Sequence, residues 1–142
     1  MEVLALLRSK NKCLTRFLEA SQDFWIHAQK GDLSGLDAFY LKRESILKGI
    51  DLYERKINET LAKMSASQNT AQLRDEVRKL LDHWKFLVHS VANIDAKIIE
   101  KVAEAKDRAF KHLHENKKSQ ETLNRFKSAW VPSSGESLDE KL

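Results

Sequence analysis

The sequence holds very few of the residues that interrupt helices. Its 142 residues include four glycines and a single proline, Pro132. Turns and strand ends rely on these residue types, so a fold of many short strands is excluded and long helices are expected. The one cysteine, Cys13, cannot form a disulfide within the chain, which favours a reducing compartment.

Long apolar runs are also lacking. No stretch reaches the roughly 20 apolar residues of a membrane span, so no membrane insertion is expected. The apolar run at residues 3–7 is too short for a signal peptide and has no basic residues before it. We therefore expect a cytoplasmic location.

The residue patterns of known catalytic and cofactor sites are missing as well. The residues three positions before the five histidines are never glutamate, which excludes the pattern of a carboxylate di-iron bundle. There is no glycine-rich phosphate loop and no zinc-ligand spacing. We expect no catalytic activity, no cofactor and no metal. Because 21 acidic residues are interleaved with 25 basic ones, nucleic-acid binding is not expected either.

What the sequence does contain is three rows of apolar residues with helical spacing. Each row places its members three or four positions apart, which is typical of one face of an amphipathic helix. Gly31 is expected to end the first helix near Lys30, and Asp32 to cap the second. In the second helix Tyr40, Leu47 and Leu61 flank the main row. The first row is Leu4, Leu7, Leu14, Leu18 and Trp25; the second is Leu36, Phe39, Ile46, Ile50, Tyr53 and Ile57; the third is Leu73, Val77, Leu80, Trp84, Leu87, Val91, Ile94 and Ile98.

These rows predict an all-α fold, an up-down-up antiparallel bundle of three long helices. The third helix, beginning after a cap at Asn69 or Thr70, is expected to be overlong, or broken near residues 114–121 to give a short C-terminal helix. Those eight residues contain no apolar side chain. Residues 1–131 are expected to form a single helical-bundle domain, followed by a flexible tail over residues 132–142.

The unequal helix lengths point to a function. A third helix reaching Trp130 would span on the order of 90 Å, about twice the length of either partner. The part beyond its partners still carries large apolar side chains, and leaving them bare forfeits roughly 1.5–3 kcal/mol each. We expect this region to bind another protein. The candidate residues are Ile99, Val102, Phe110, Leu113, Leu123, Phe126 and Trp130, the last three either joining the surface or covering it.

The chain also resembles the flagellar type III export chaperones of the FlgN/FliT kind. Three stretches carry the resemblance: Ala28-Gln29-Lys30-Gly31-Asp32 after the first helix, Tyr40-Leu41 with Ile46 in the second, and Leu123-Asn124-Arg125-Phe126-Lys127 before Val131-Pro132. The charged residues 138–142 are similar to the tail of some relatives. Phe126 stands where that family often has tyrosine.

The resemblance implies a cytoplasmic chaperone that holds a late flagellar export substrate, such as a hook-associated or filament-cap protein, and delivers it to a component of the export apparatus. A helix of the substrate would lie in an apolar groove of the chaperone. The alternative is a homo-oligomeric coiled-coil scaffold or adaptor, in which the long helix pairs with its twin in a homodimer.

Overall fold

The computed structural model describes the backbone of residues 2–130 and the side chains of residues 2–126. This part of the chain forms an all-helical bundle without strands, which confirms the predicted all-α class. Its three helices are α1 over Glu2–Gln29, α2 over Leu36–Ala62 and α3 over Ala71–Trp130. The expected tail over residues 132–142 lies outside the described residues.

The end of α1 is set by a glycine, as predicted. Gly31 has a φ of 81°, in the left-handed region that glycine enters without steric cost. The amide of Gly31 donates to the carbonyl of Ala28, and the amide of Asp32 donates to the carbonyl of His27. This pair of hydrogen bonds is the Schellman motif, which satisfies carbonyls that the last helical turn leaves open.

The predicted cap of α2 is wrong. The helix begins at Leu36 after Gly35, and no side chain caps it. Asp32 Oδ1 instead accepts two hydrogen bonds from Ser34, one from the amide at 3.1 Å and one from the hydroxyl at 2.6 Å. An aspartate three or more residues before the first helical turn reaches the nearer donors of its own loop first.

The start of α3 follows the prediction. The hydroxyl of Thr70 accepts a hydrogen bond from the amide of Leu73 at 3.1 Å, which is the geometry of an N-cap. Of the two candidate caps, Thr70 rather than Asn69 therefore fills this role. Asn69 contacts Arg74, whose guanidinium donates to its carbonyl and to its side-chain oxygen.

The core of residues 1–102 consists of three clusters, each with side chains from all three helices. The middle cluster contains Cys13, Leu14 and Phe17 of α1, Ile50 of α2, and Leu87 and Val91 of α3. A second joins the start of α1 to the end of α2 and the start of α3: Val3, Leu4, Leu7, Ile57 and Leu73. The third joins the end of α1 to the start of α2: Ala20, Phe24, Ala28, Phe39 and Ile98.

Two polar residues interrupt the apolar row of α1, and both are buried with hydrogen bonds. Asn11 Nδ2 donates to the carbonyl of Leu80 at 3.1 Å, and Ser21 Oγ donates to the carbonyl of Phe17 at 2.9 Å. A buried polar group without a partner costs about 1–3 kcal/mol, so these bonds make the interruptions tolerable. The bond from Asn11 also links α1 to α3.

Helix α3 continues through residues 114–121, where the sequence suggested a break. Of the two predicted alternatives, the structure therefore has the single overlong helix of 60 residues. The segment contains no glycine or proline, and Glu, Lys and Gln are good helix formers. The absence of apolar residues removes a packing surface but not the local preference for helix.

The chain divides into two compact units at the boundary between Val102 and Ala103. The first unit holds the three-helix core. In the second unit every described side chain from Lys106 to Phe126 is exposed. The boundary falls inside helix α3 and inside the expected domain of residues 1–131, so the single-domain organisation stays a prediction.

Candidate protein-binding surfaces

Five of the predicted binding residues are exposed large apolar side chains on α3. Ile99 is 67% exposed, Phe110 61%, Leu113 64%, Leu123 53% and Phe126 59%. Trp130 is the last residue of α3, and its side chain lies outside the described residues. Such side chains are costly to leave in water, which makes them candidates for contact with another protein.

Val102 differs from the other predicted residues because it is already half-buried. It packs against the core cluster that contains Phe24, Phe39 and Ile98. Part of its apolar surface is therefore used within the first unit. Val102 and Ile99 belong to this unit, whereas the remaining predicted residues belong to the second.

In the second unit the predicted residues form two separate patches. Phe110 and Leu113, three positions apart, are neighbours on the surface of α3 and form what we call the Phe110 patch. Leu123 and Phe126 form the Phe126 patch. At about 100° per residue, Leu123 and Phe126 lie roughly 80° and 140° around the helix axis from Leu113. The sequence left open whether Leu123 and Phe126 join the surface of Phe110 and Leu113 or cover it, and a straight helix turns the two patches toward different directions.

The Phe126 patch includes polar side chains. Leu123 and Phe126 line a shallow depression together with Lys118, Ser119 and Thr122. An amphipathic partner could place an apolar side chain over Leu123 and an acceptor near Lys118.

The structure contains a further apolar surface, in the first unit, that was not predicted from the sequence. On α2, Tyr40, Leu47 and Leu61, which flank the main apolar row, are all exposed. On α3, Leu81, Val88 and Ile99 are also exposed. These six side chains, between 42% and 67% exposed, form what we call the α2/α3 strip.

An ion pair shows that the two halves of this strip face each other. Arg43 Nη2 lies 2.7 Å from Asp95 Oδ2. Arg43 is three residues after Tyr40 and four before Leu47, and Asp95 is four residues before Ile99. Residues three and four apart share one side of a helix, so the strip residues of α2 lie on its α3 side, and those of α3 lie on its α2 side.

A pocket of about 480 Å³ lies at the other end of the strip. Leu61 of α2 and Leu81 of α3 both line it, above Val3, Leu73 and Val77. Its edge carries the side chains of Arg74 and Arg78. The pocket can therefore hold a bulky apolar side chain close to two cations.

One sequence signal could have revealed the strip. Tyr40 and Leu47 are seven residues apart, as are Leu81 and Val88, so each pair repeats along one side of its helix. The repeats were visible in the sequence, but periodicity alone does not say whether a flanking row is buried by a neighbour. That depends on how many helices surround it.

Two kinds of site are absent from residues 2–130. Their His, Cys, Asp and Glu side chains nowhere gather in groups of three that could hold a metal ion. Among their helices, none combines the length and the apolar composition that a membrane crossing requires. Cys13 is buried in the core beside α2, and its sulfur accepts a weak hydrogen bond from Arg16 Nη2 at 3.9 Å.

In comparisons with protein-family models, curated proteins and solved structures, nothing matched this chain.

Proposed function

We propose that this chain is a helix-binding chaperone that holds an amphipathic segment of another protein, without catalysing a reaction. One observation supports this most directly. The Phe110 patch presents two large side chains, each more than 60% exposed. It lies in a part of α3 where every described side chain from Lys106 onward is exposed. A partner helix that covered this patch would remove apolar area from water, at about 25 cal/mol per Å².

The arrangement of the first unit is proposed to be an up-down-up antiparallel bundle. The core clusters support it, since the start of α1 packs with the end of α2, and the end of α1 with the start of α2. Leu73 at the start of α3 joins the first of these clusters and Ile98 the second. Such a bundle is a rigid support for a helix that binds cargo.

The proposed cargo is a late flagellar export substrate, a hook-associated or filament-cap protein, delivered to a component of the type III export apparatus in the cytoplasm. This part of the proposal comes from the resemblance to chaperones of the FlgN/FliT kind. Nine basic and five acidic residues between Lys97 and Lys127 would favour a cargo segment with acidic residues beside its apolar row.

Co-purification tests the proposal. The tagged full chain, expressed in a flagellated host, is expected to retain hook-associated or cap proteins. Replacing Phe110 and Leu113 with alanine should reduce the retained amount at least about tenfold, because binding residues of this size commonly contribute 1–2 kcal/mol each. Replacing the exposed Leu41 and Leu52 of α2 with alanine is the matched control and should change nothing. Recovery of no flagellar substrate would refute the chaperone function.

A homo-oligomeric coiled-coil scaffold is the second candidate, and the same patches support it. Exposed apolar residues along a long helix are also what two copies need to pair. Light scattering separates the candidates. A dimer that persists at nanomolar concentration and dissociates in the Phe110→Ala, Leu113→Ala variant would favour the scaffold. A monomer that gains mass only with cargo would favour the chaperone.

A further inference from the structure

The pocket of about 480 Å³ beside Leu61 and Leu81 has the size and the lining of a small-molecule site. All three helices and the loop between α2 and α3 contribute to its wall. Two of the lining residues, Val3 and Leu73, belong to the core and are only 1% and 7% exposed. Ligand sites typically enclose about 300–1,000 Å³ and are mostly apolar. The pocket can therefore hold an aliphatic chain against the core.

The loop side of the pocket is held in place by hydrogen bonds within the loop. Ser65, Ala66 and Asn69 line the pocket there. The amide of Ser65 donates to Gln68 Oε1 at 3.0 Å, and the amide of Gln68 donates to the carbonyl of Ser65 at 3.1 Å. The amide of Asn69 donates to the carbonyl of Ala66 at 3.3 Å. A wall that is already ordered lowers the entropy cost of binding a ligand.

Arg74 is positioned at the edge of this pocket. Its Nη1 donates to the carbonyl of Asn69 at 3.1 Å and to the side-chain oxygen of Asn69 at 3.3 Å. No hydrogen bond joins its Nη2 or its Nε to a described residue. Because arginine has five N–H donors and no acceptor, the remaining donors suit a carboxylate.

The cations of the pocket differ in how far nearby carboxylates offset them. Arg74 and Arg78 line the pocket, and no carboxylate does. Asp75 and Asp82 lie within one helical turn of Arg78 and offset part of its charge. The residues one turn from Arg74, none of them acidic, are Thr70, Ala71, Val77 and Arg78. Arg74 is therefore the cation that sets the preference of the pocket.

Two carboxylates close to the lining in sequence are engaged elsewhere. Asp75 directly follows Arg74, but it lies about 100° around the helix, and its Oδ2 is 3.5 Å from Lys79 Nζ. Glu2, next to Val3, lines a separate depression together with Lys56 and Lys63. Neither carboxylate occupies the position that a ligand would take beside Arg74.

We infer that this pocket binds a small molecule with an aliphatic chain and a terminal carboxylate, the chemistry of a medium-chain fatty acid anion. The chain lies against Val3, Leu73 and Val77, and the carboxylate accepts hydrogen bonds from Arg74. Burial of the chain supplies most of the affinity, and Arg74 selects the head group. This site is independent of the Phe110 patch and of the chaperone function.

A series of chain lengths tests the apolar part of the inference. Hexanoate, octanoate and decanoate are titrated into the full chain below the concentrations at which they form micelles, and NMR follows the backbone amides. Affinity should rise roughly fourfold for each added methylene that is buried. The amides that shift should lie in residues 65–69 and 73–81, around the pocket. Equal affinity along the series, or no binding, would overturn the inference.

Three head groups on the same chain test the role of the cation. Octanoate should bind about threefold more tightly than 1-octanol, and octyltrimethylammonium should bind most weakly, because an exposed ion pair contributes modestly. Equal binding of the three would show that Arg74 does not select the ligand, and the assignment of a carboxylate would be wrong.

Charge variants assign the selectivity to one residue. In Arg74→Gln, octanoate and 1-octanol should bind equally well. Lys48→Gln is the control, an exposed position on α2 with the same change in net charge, and it should keep the preference for octanoate. If the control loses the preference equally, general attraction by the basic chain explains it and the inference fails.

Apolar variants locate the chain of the ligand. Leu61→Ala with Leu81→Ala should weaken octanoate about tenfold, whereas Leu41→Ala with Leu52→Ala should not change its binding. Circular dichroism confirms that both variants fold. Loss of octanoate binding in the Phe110→Ala, Leu113→Ala variant would instead place the ligand on the second unit. That result overturns this inference and leaves the chaperone proposal standing.

Discussion

Arg43 and Asp95 join α2 to α3 through a contact of 2.7 Å between Nη2 and Oδ2, and each side chain is only about a fifth exposed, at 21% and 23%. The guanidinium also lies over two core rings, 4.5 Å from the centre of Phe17 and 5.1 Å from that of Phe39. The second oxygen of Asp95 is buried without a partner among the described residues. The carboxylate thus depends on a single cation.

Removing that cation should destabilise the bundle. Arg43→Leu is expected to lower the free energy of unfolding by roughly 1–3 kcal/mol, because Asp95 would remain partly buried without its partner. Urea denaturation measures the change. The double variant Arg43→Leu, Asp95→Leu should recover part of the loss, since it leaves no unpaired charge. If the double variant is as unstable as the sum of the two single variants, the pair contributes no coupling.

Replacing Gly49 of α2 with alanine should stabilise the chain. A Cβ built on Gly49 would meet Cys13 Sγ at 3.9 Å, an ordinary van der Waals contact. Gly49→Ala is therefore expected to raise the free energy of unfolding by about 0.5–1 kcal/mol, since glycine inside a helix costs that much relative to alanine. Thermal and urea denaturation measure it. A lower stability would show that α1 and α2 approach more closely at this point. Gly31→Ala is the contrasting variant and should destabilise, because its φ is positive.

The Phe110 patch should contribute little to folding. Phe110→Ala with Leu113→Ala is expected to change the free energy of unfolding by no more than about 0.5 kcal/mol, as for other exposed positions. Phe17→Ala in the middle cluster should cost about 3–5 kcal/mol. Calorimetry compares the two variants. A comparable drop in both would mean that the Phe110 patch is buried in the folded protein and cannot be a free binding surface.

The loop between α1 and α2 should show a shifted carboxyl titration. The hydroxyl and the amide of Ser34 both donate to Asp32 Oδ1, and these bonds hold the pKa of Asp32 below its ordinary value of 3.8, with a smaller contribution from the nearby His27. Since the bonds favour the charged carboxylate, their stabilisation is present above the unfolded pKa and is lost as the pH falls through the folded one. NMR titration of Asp32 should show the lowered pKa. In Ser34→Ala, which lacks the hydroxyl, the pKa should rise toward 3.8; an unchanged pKa would mean that the hydroxyl does not bond to it in solution.

Local sequence signals predicted the elements that depend on neighbouring residues. Gly31 ends α1 and Thr70 caps α3, because a left-handed glycine and a capping hydroxyl act on amides and carbonyls only a few residues away. Leu14, Ile50 and Leu87, which belong to the three predicted apolar rows, are all buried, in the middle cluster. The prediction at Asp32 was wrong because two donors of Ser34 were closer than the helix it was expected to cap.

The sequence predicted less well those features that depend on contacts between residues far apart in the chain. Leu47 and Ile50 are both apolar residues in the repeat of α2, yet Ile50 is buried and Leu47 is exposed. The polar residues 114–121 suggested a break, but helix continuity depends on backbone preference and not on whether a packing partner exists. The partner of Asn11, the carbonyl of Leu80, is 69 residues away and could not be read from the sequence.

The sequence by itself determined that this protein is helical, where α1 ends and where α3 begins, because propensity, capping and periodicity act over a few residues. Only the tertiary structure decided which apolar rows are covered. Burial requires a neighbouring helix at the right distance, and the packing of the three helices within the first unit leaves Tyr40, Leu47 and Leu61 of α2 and Leu81, Val88 and Ile99 of α3 exposed among the described residues.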